Sequence, residues 1–253
     1  MFLDRDVACL AGMHSRRGVV RLASAGMVAS ILAGRLHASV LAQTPFPTRI
    51  RVLHAAPELG KVEVLFNNNE LLDEFDYGMT SDWLEVKPGT VRITIRRDRA
   101  GFNYVVFDAI APVVANEDYE LIISAPMIIP VPVDRSPLPE GHSRVQVIQA
   151  SPEMPALDIA KKGGDVIIDN LGYGQVSDAL VVAAASYDLD VRLHGTGEVL
   201  VSVPQVQVAP NMIYDVVIYG TPGSEPAPLT TAVLTDTPHP PVPGATPAAT
   251  PTA

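Results

Sequence analysis

The chain has 253 residues, 47% of them hydrophobic, and a formal net charge of −10 at pH 7. An acidic chain with only 18 lysines and arginines lacks the clustered cations that a nucleic-acid backbone or an anionic membrane surface selects, so no nucleic acid is expected among its partners. The single cysteine, Cys9, lies near the start and leaves the remainder without disulfides or thiolate metal sites.

Residues 1–42 have the three-part layout of an export signal. Ser15-Arg16-Arg17-Gly18-Val19-Val20 resembles a twin-arginine motif, an apolar run follows from Leu22 to Gly34, and Val40-Leu41-Ala42 offers a peptidase site. That run is shorter than the roughly 20 residues a membrane-spanning helix needs, so a removable signal is expected and no transmembrane anchor. Arg5, Arg16, Arg17, Arg21 and Arg35 stand there against Asp4 and Asp6, so removal takes the charge from −10 to −13. The expected location is extracytoplasmic, secreted or associated with the cell envelope.

After the signal the chain repeats itself. Arg49 to Pro57 reads R-I-R-V-L-H-A-A-P, and 95 positions later Arg144 to Pro152 reads R-V-Q-V-I-Q-A-S-P. Tyr77-Gly78 and Ser81-Asp82 return as Tyr173-Gly174 and Ser177-Asp178. In both copies the apolar residues recur with a period of two, as in Val91-Arg92-Ile93-Thr94-Ile95-Arg96 and in Tyr187, Leu189, Val191 and Leu193, which is the strand signature.

In chain order, strands are predicted over residues 49–55, 62–67, 70–76, 83–86, 91–96, 104–111 and 119–124. The second copy is predicted to supply a matching set ending at 214–219. Asn67-Asn68-Asn69 and Lys162-Gly163-Gly164 suit tight reversals, and Lys87-Pro88-Gly89-Thr90 reads as a hairpin turn. Seven short strands per copy and no helix predict an all-β chain of two tandem small antiparallel β-sandwich domains, immunoglobulin-like in architecture but without the Cys, Trp, Cys pattern. The first repeat is placed at residues 48–125, a Pro-rich connector at 126–142, and the second repeat at 143–220. Residues 221–253 are a Pro- and Thr-rich tail, expected to be largely disordered from about 235. Modules of about 80 residues without disulfides are marginal alone, so the two are expected to lean on each other.

His-Ala-Ala-Pro at 54–57, Val62-Glu63-Val64, Tyr77-Gly78 with Ser81-Asp82, and Lys-Pro-Gly-Thr at 87–90 resemble the bacterial domain-of-unknown-function 4397 family. Ala150-Ser151-Pro152, Leu157-Asp158-Ile159, Tyr173-Gly174 and Ser177-Asp178 carry the same resemblance in the second copy. It implies tandem modules in an exported protein and no assigned activity. The copies differ at His54, which is Gln149 in the second, and at Trp83, which is Ala179.

No catalytic grouping is visible. His54, His142, His194 and His239 share no predicted strand face, and no G-x-S-x-G, H-E-x-x-H or phosphate-loop motif occurs. The chain is therefore read as a non-enzyme with no cofactor and no assigned metal ligands. The oxygen-rich stretch Asn67 to Asp76 is where calcium would bind, although edge-strand charges that discourage aggregation explain it more simply. Trp83, Asp82, Tyr77, Asp178 and Tyr173 form the candidate ligand surface, because an exposed Trp can stack on a sugar ring and the Ser-Asp pairs recur. Three functions follow: an exported interaction or structural module with an envelope or extracellular partner, glycan or protein; a carbohydrate or calcium-assisted binder; and an exported hydrolase or cofactor protein.

Overall fold

A computed structural model of the chain describes residues 46–99, 102–221, 223–225 and 227–239, and only the backbone of residues 98, 99, 102 and 103. The expected export signal and the end of the tail lie outside these residues. Among the described residues no helix is long and apolar enough to cross a membrane.

The chain forms two β-sandwich modules of eight strands. In the first, β1 (Arg49–His54), β4 (Leu84–Glu85), β7 (Asp118–Ser124) and β8 (Met127–Val133) make sheet A in the order β4-β1-β7-β8. Sheet B is β3-β2-β5-β6, from β2 (Val62–Phe66), β3 (Asn69–Phe75), β5 (Gly89–Arg99) and β6 (Phe102–Val113). The second module repeats both orders. Sheet C is β12-β9-β15-β16, from β9 (His142–Gln149), β12 (Leu180–Ala183), β15 (Ile213–Tyr219) and β16 (Thr230–Asp236). Sheet D is β11-β10-β13-β14, from β10 (Leu157–Lys161), β11 (Val166–Leu171), β13 (Ala185–Leu193) and β14 (Val199–Val208).

Three features differ from the sequence expectation. Each module has an eighth strand, drawn from the stretches read as connector and tail. Strand β8 holds Pro130 and Pro132, which argue against a central strand, but it lies at the edge of sheet A, where an imide nitrogen can face outward without breaking the ladder. Pairing is also not wholly antiparallel: β1 runs parallel to β7, and β9 parallel to β15. Finally, Lys87 to Thr90 is no hairpin, because β4 belongs to sheet A and β5 to sheet B. It is a corner that carries the chain between sheets, with Gly89 at φ 132°.

Three apolar layers separate the four sheets. Ile50, Val52, Val64, Ile95, Leu121 and Ile123 fill the space between A and B. Val147, Leu157, Ile159, Leu171, Val191 and Ile218 do the same between C and D. The third layer joins the modules: Leu53, Ile122, Ile129 and Val131 of sheet A meet Ile148, Val217, Tyr219 and Leu234 of sheet C. Period-two alternation makes this possible, since Val52 and Leu121 point into the first sandwich while Leu53 and Ile122, one step along, point out of it. Sheets A and C are thus apolar on both faces, and the stacking order is B, A, C, D.

Candidate functional site

The residues singled out in the sequence gather along the seam between A and C, at its two ends rather than at one point. One end is built by the Tyr-Gly corners. Tyr77 lies edge-on to Tyr219 of the other module, ring centroids 5.7 Å apart, and to His54 at 6.3 Å. Its equivalent, Tyr173, brings its hydroxyl to the carbonyl oxygens of Ser124 (3.0 Å) and Ala125 (3.1 Å) in the first module. Ser124 and Tyr219 close β7 and β15 at matching places, so each module's corner grips the end of its neighbour's strand. The two corners are related by an approximate internal two-fold, each reaching the end of the other module's strand, although the contacts they make there differ.

Glycine is required beside both tyrosines. Gly78 and Gly174 have φ of 79° and 75°, and a Cβ on Gly174 would lie 2.8 Å from Met127 Sδ on β8 of the other module. The two tyrosines differ in one respect: the Tyr77 hydroxyl is buried without a hydrogen-bond partner.

The recurring Ser-Asp pairs complete strands. Ser81 Oγ accepts the Val52 N–H at 2.9 Å, and its backbone N–H donates to the Val52 carbonyl at 2.8 Å. Ser177 does the same with Val147, at 2.9 Å in both bonds. Asp82 and Asp178 follow on exposed turns. His54 is completely buried, its Nε2 2.7 Å from the Gly60 carbonyl and its Nδ1 3.3 Å from the Ala56 N–H. Burial pushes its pKa below the usual imidazole range. Gln149 takes the same place, with Oε1 accepting the Ser151 N–H at 2.6 Å. Both side chains tie down the backbone two residues beyond a strand, which accounts for the His-to-Gln exchange between copies.

The other end of the seam is ionic. Trp83 lies half-buried under the guanidinium groups of Arg51, Arg49 and Arg135, at 4.5, 5.0 and 5.7 Å from its ring. Arg49 makes a bidentate pair with Asp118 (3.1 and 2.6 Å). Arg135 Nε lies 3.0 Å from the same carboxylate but off line for a hydrogen bond, and its far end pairs with Asp236 of the second module. Arg51 pairs with Glu120 and donates across the seam to the Thr235 carbonyl at 3.1 Å. Arg144 returns the gesture from β9, reaching Asp134 (3.2 Å) and Ser136 Oγ (2.9 Å) just after β8. Beside this cluster lies a groove of about 480 Å³ bounded by Phe46, Asp118, Pro132, Arg135 and His239. His239 stacks on Phe46 with ring centroids 3.8 Å apart.

Two carboxyl groups are sealed in the seam. Glu120 is 0% and Asp215 2% exposed, and they stand at corresponding positions of β7 and β15. Burial pushes both well above the ordinary carboxylate range, Glu120 despite Arg51, and Asp215 further because Glu120 lies near it.

One constellation was not legible in the sequence. Asp158 on β10, Asp169 on β11 and His194 after β13 bring one donor atom each to within 4.8 Å of one another. His194 Nδ1 lies 2.8 Å from Asp158 and 3.4 Å from Asp169, and the hydrogen bond to Asp158 raises the imidazole pKa. These positions are far apart in the chain and meet only because β10 pairs with both β11 and β13, so no spacing rule could find them. In the first module the position of Asp158 is Glu63, which pairs with Arg96 at 3.5 Å. In the acidic hairpin Glu74 pairs with Lys61, and the carboxylates of Asp73 and Asp76 accept the backbone N–H groups of the residues that follow them.

The candidate ligand residues therefore divide. Tyr77 and Tyr173 serve the seam, Trp83 lies under arginines at its far end, and Asp82 and Asp178 flank strand-completing serines. A comparison with curated proteins gave no match. Residues 48–160 match the family described as a domain of unknown function (DUF4397), a stretch that takes in all of the first module and the first two strands of the second.

Proposed function

We propose that the protein is an exported, non-catalytic repeat protein that works as a structural or interaction module of the cell envelope or the extracellular space, with residues 143–220 a second copy of the matched domain. The observation that carries this reading is the use of the chain's aromatic and ionic side chains: Tyr77, Tyr173, Arg51 and Arg135 bind one module to the other, and Trp83 and Arg49 pack beside the two arginines. Groups committed in this way stiffen a scaffold, and a stiff scaffold presents its outer sheets to a partner in a fixed relation. The twin-arginine-like start of the chain supports delivery after folding, which suits modules that need each other to be stable. Fractionation of cells carrying a C-terminally tagged chain tests it: the tag is expected outside the cytoplasm, and folded protein found only in the cytosol would refute the proposal.

The Asp158, Asp169 and His194 grouping favours a second reading, a cation-assisted ligand binder. Calorimetric titration with calcium and with zinc, followed by a glycan array with and without the ion, decides it. Saturable heat that disappears in Asp158→Asn supports the binder; no heat with either ion removes it.

A further inference from the structure

The sealed carboxyl groups call for an explanation that a static scaffold does not need. Glu120 and Asp215 project into the seam from the middle of sheets A and C, where water does not reach them. The charged groups around them are Arg49 and Arg51 on β1, Asp118 on β7, Asp134 and Arg135 after β8, Arg144 on β9 and Asp236 on β16. Most of the cations are committed elsewhere: Arg49 to Asp118, Arg135 to Asp118 and Asp236, and Arg144 to Asp134 and Ser136. Arg51 alone pairs with Glu120, through Oε1 only, and Glu120 Oε2 is buried without a hydrogen-bond partner.

Two sealed carboxylates facing one committed guanidinium leave an excess negative charge where no water can screen it, and a proton is the smallest cation that removes it. We propose that Glu120 and Asp215 form a proton-operated clasp: the modules dock tightly while the pair retains a proton, and its loss in mildly alkaline solution loosens the contact between sheets A and C. This deepens the scaffold reading above and rests on it. Arg51 couples the clasp to its surroundings, because the same guanidinium pairs with Glu120, donates to Thr235 on β16 and stacks on Trp83.

The sign follows from linkage. Both groups have folded pKa values above their unfolded ones, about 7 for Glu120 and about 8 for Asp215, so the folded chain holds protons that the unfolded chain has released. Their contribution is fully present below the ordinary carboxylate range and is lost as pH rises through 7 and 8.

Opening of the seam is read by hydrogen exchange of the β7 and β15 amides, corrected for intrinsic base catalysis, and by fluorescence of Trp83, the only tryptophan in the chain. Corrected exchange is expected to quicken by roughly tenfold or more between about pH 6 and pH 9, each unit of pKa shift being worth tenfold in the equilibrium. Glu120→Gln and Asp215→Asn should each flatten that dependence. Should either variant fail to fold, carbon NMR of the wild-type carboxyl groups gives the same answer: at least one of the two must titrate above the ordinary carboxylate range. Ordinary titration of both, or a pH dependence unchanged in both variants, overturns the clasp. That result would leave the scaffold proposal standing, since it is decided separately by where the protein resides.

Discussion

Tyr77 and Tyr173 hold equivalent places in two copies of one fold, yet the same substitution should act on them with opposite sign. The Tyr173 hydroxyl serves the carbonyls of Ser124 and Ala125, so Tyr173→Phe removes a donor from groups in the seam and should destabilise by about 1–2 kcal/mol. The Tyr77 hydroxyl is buried without a partner. Removing an unpaired buried hydroxyl relieves its desolvation while the ring keeps its packing on Tyr219 and His54, so Tyr77→Phe should be more stable by about 1 kcal/mol. At this chain length a kilocalorie moves the melting temperature by about 2–4 °C, so the two variants should melt on opposite sides of the parent and several degrees apart. Urea unfolding followed by circular dichroism, with melting as a second measure, reads the difference. Equal destabilisation by both substitutions would refute the assignment of an unpaired hydroxyl at Tyr77 and, with it, the asymmetry of the seam.

Three further outcomes follow from the same contacts. His54→Ala should lose about 2–4 kcal/mol by stranding the Ala56 N–H and the Gly60 carbonyl, whereas His54→Gln, which installs the residue of the other copy, should lose less than half as much in denaturant titration. Gly174→Ala combines a strained positive φ with a Cβ against Met127 and should cost about 2–4 kcal/mol, while Gly141→Ala, with similar φ and open space around it, should cost about 1. His194 holds its proton more tightly when folded, so its pair with Asp158 contributes stability below the unfolded imidazole pKa and loses it as pH rises through the folded value. His194→Gln should remove that part of the pH dependence from melting curves recorded from about pH 5 to pH 8.

Most of the fold is legible in the sequence because period two is written plainly wherever one face meets a core and the other meets water. Val91 to Arg96 and Tyr187 to Leu193 reveal β5 and β13 for that reason. Strands β8 and β16 are obscured by different causes. Prolines at 130 and 132 mask the first. The second loses its echo because β16 begins eleven positions after the end of β15, whereas β8 begins three positions after the end of β7. The parallel β1–β7 pair has no local signature, since its partners are joined only through the rest of the module.

The candidate surface was partly legible. Recurrence marked the Tyr-Gly corners and Ser-Asp turns as important to both copies, and the structure gives them a shared task in the seam and in strand completion. Trp83 differs because a side chain's solvent exposure depends on what crosses over it. Arg135 arrives from beyond β8, more than fifty positions along the chain. Glu120 and Asp215 carry no signal at all in composition or spacing; only the docking of sheet A on sheet C makes their burial a fact.

That docking also limits how the two copies can diverge. A module on its own would turn Leu53, Ile122, Ile129 and Val131 toward water, a contiguous apolar sheet face of the kind that drives aggregation. The outer sheets B and D carry no such obligation, and with neighbouring sheets about 10 Å apart they stand about 30 Å from each other. Substitution is therefore most constrained where sheets A and C meet and least constrained on the two exteriors, which face away from each other on opposite sides of the pair.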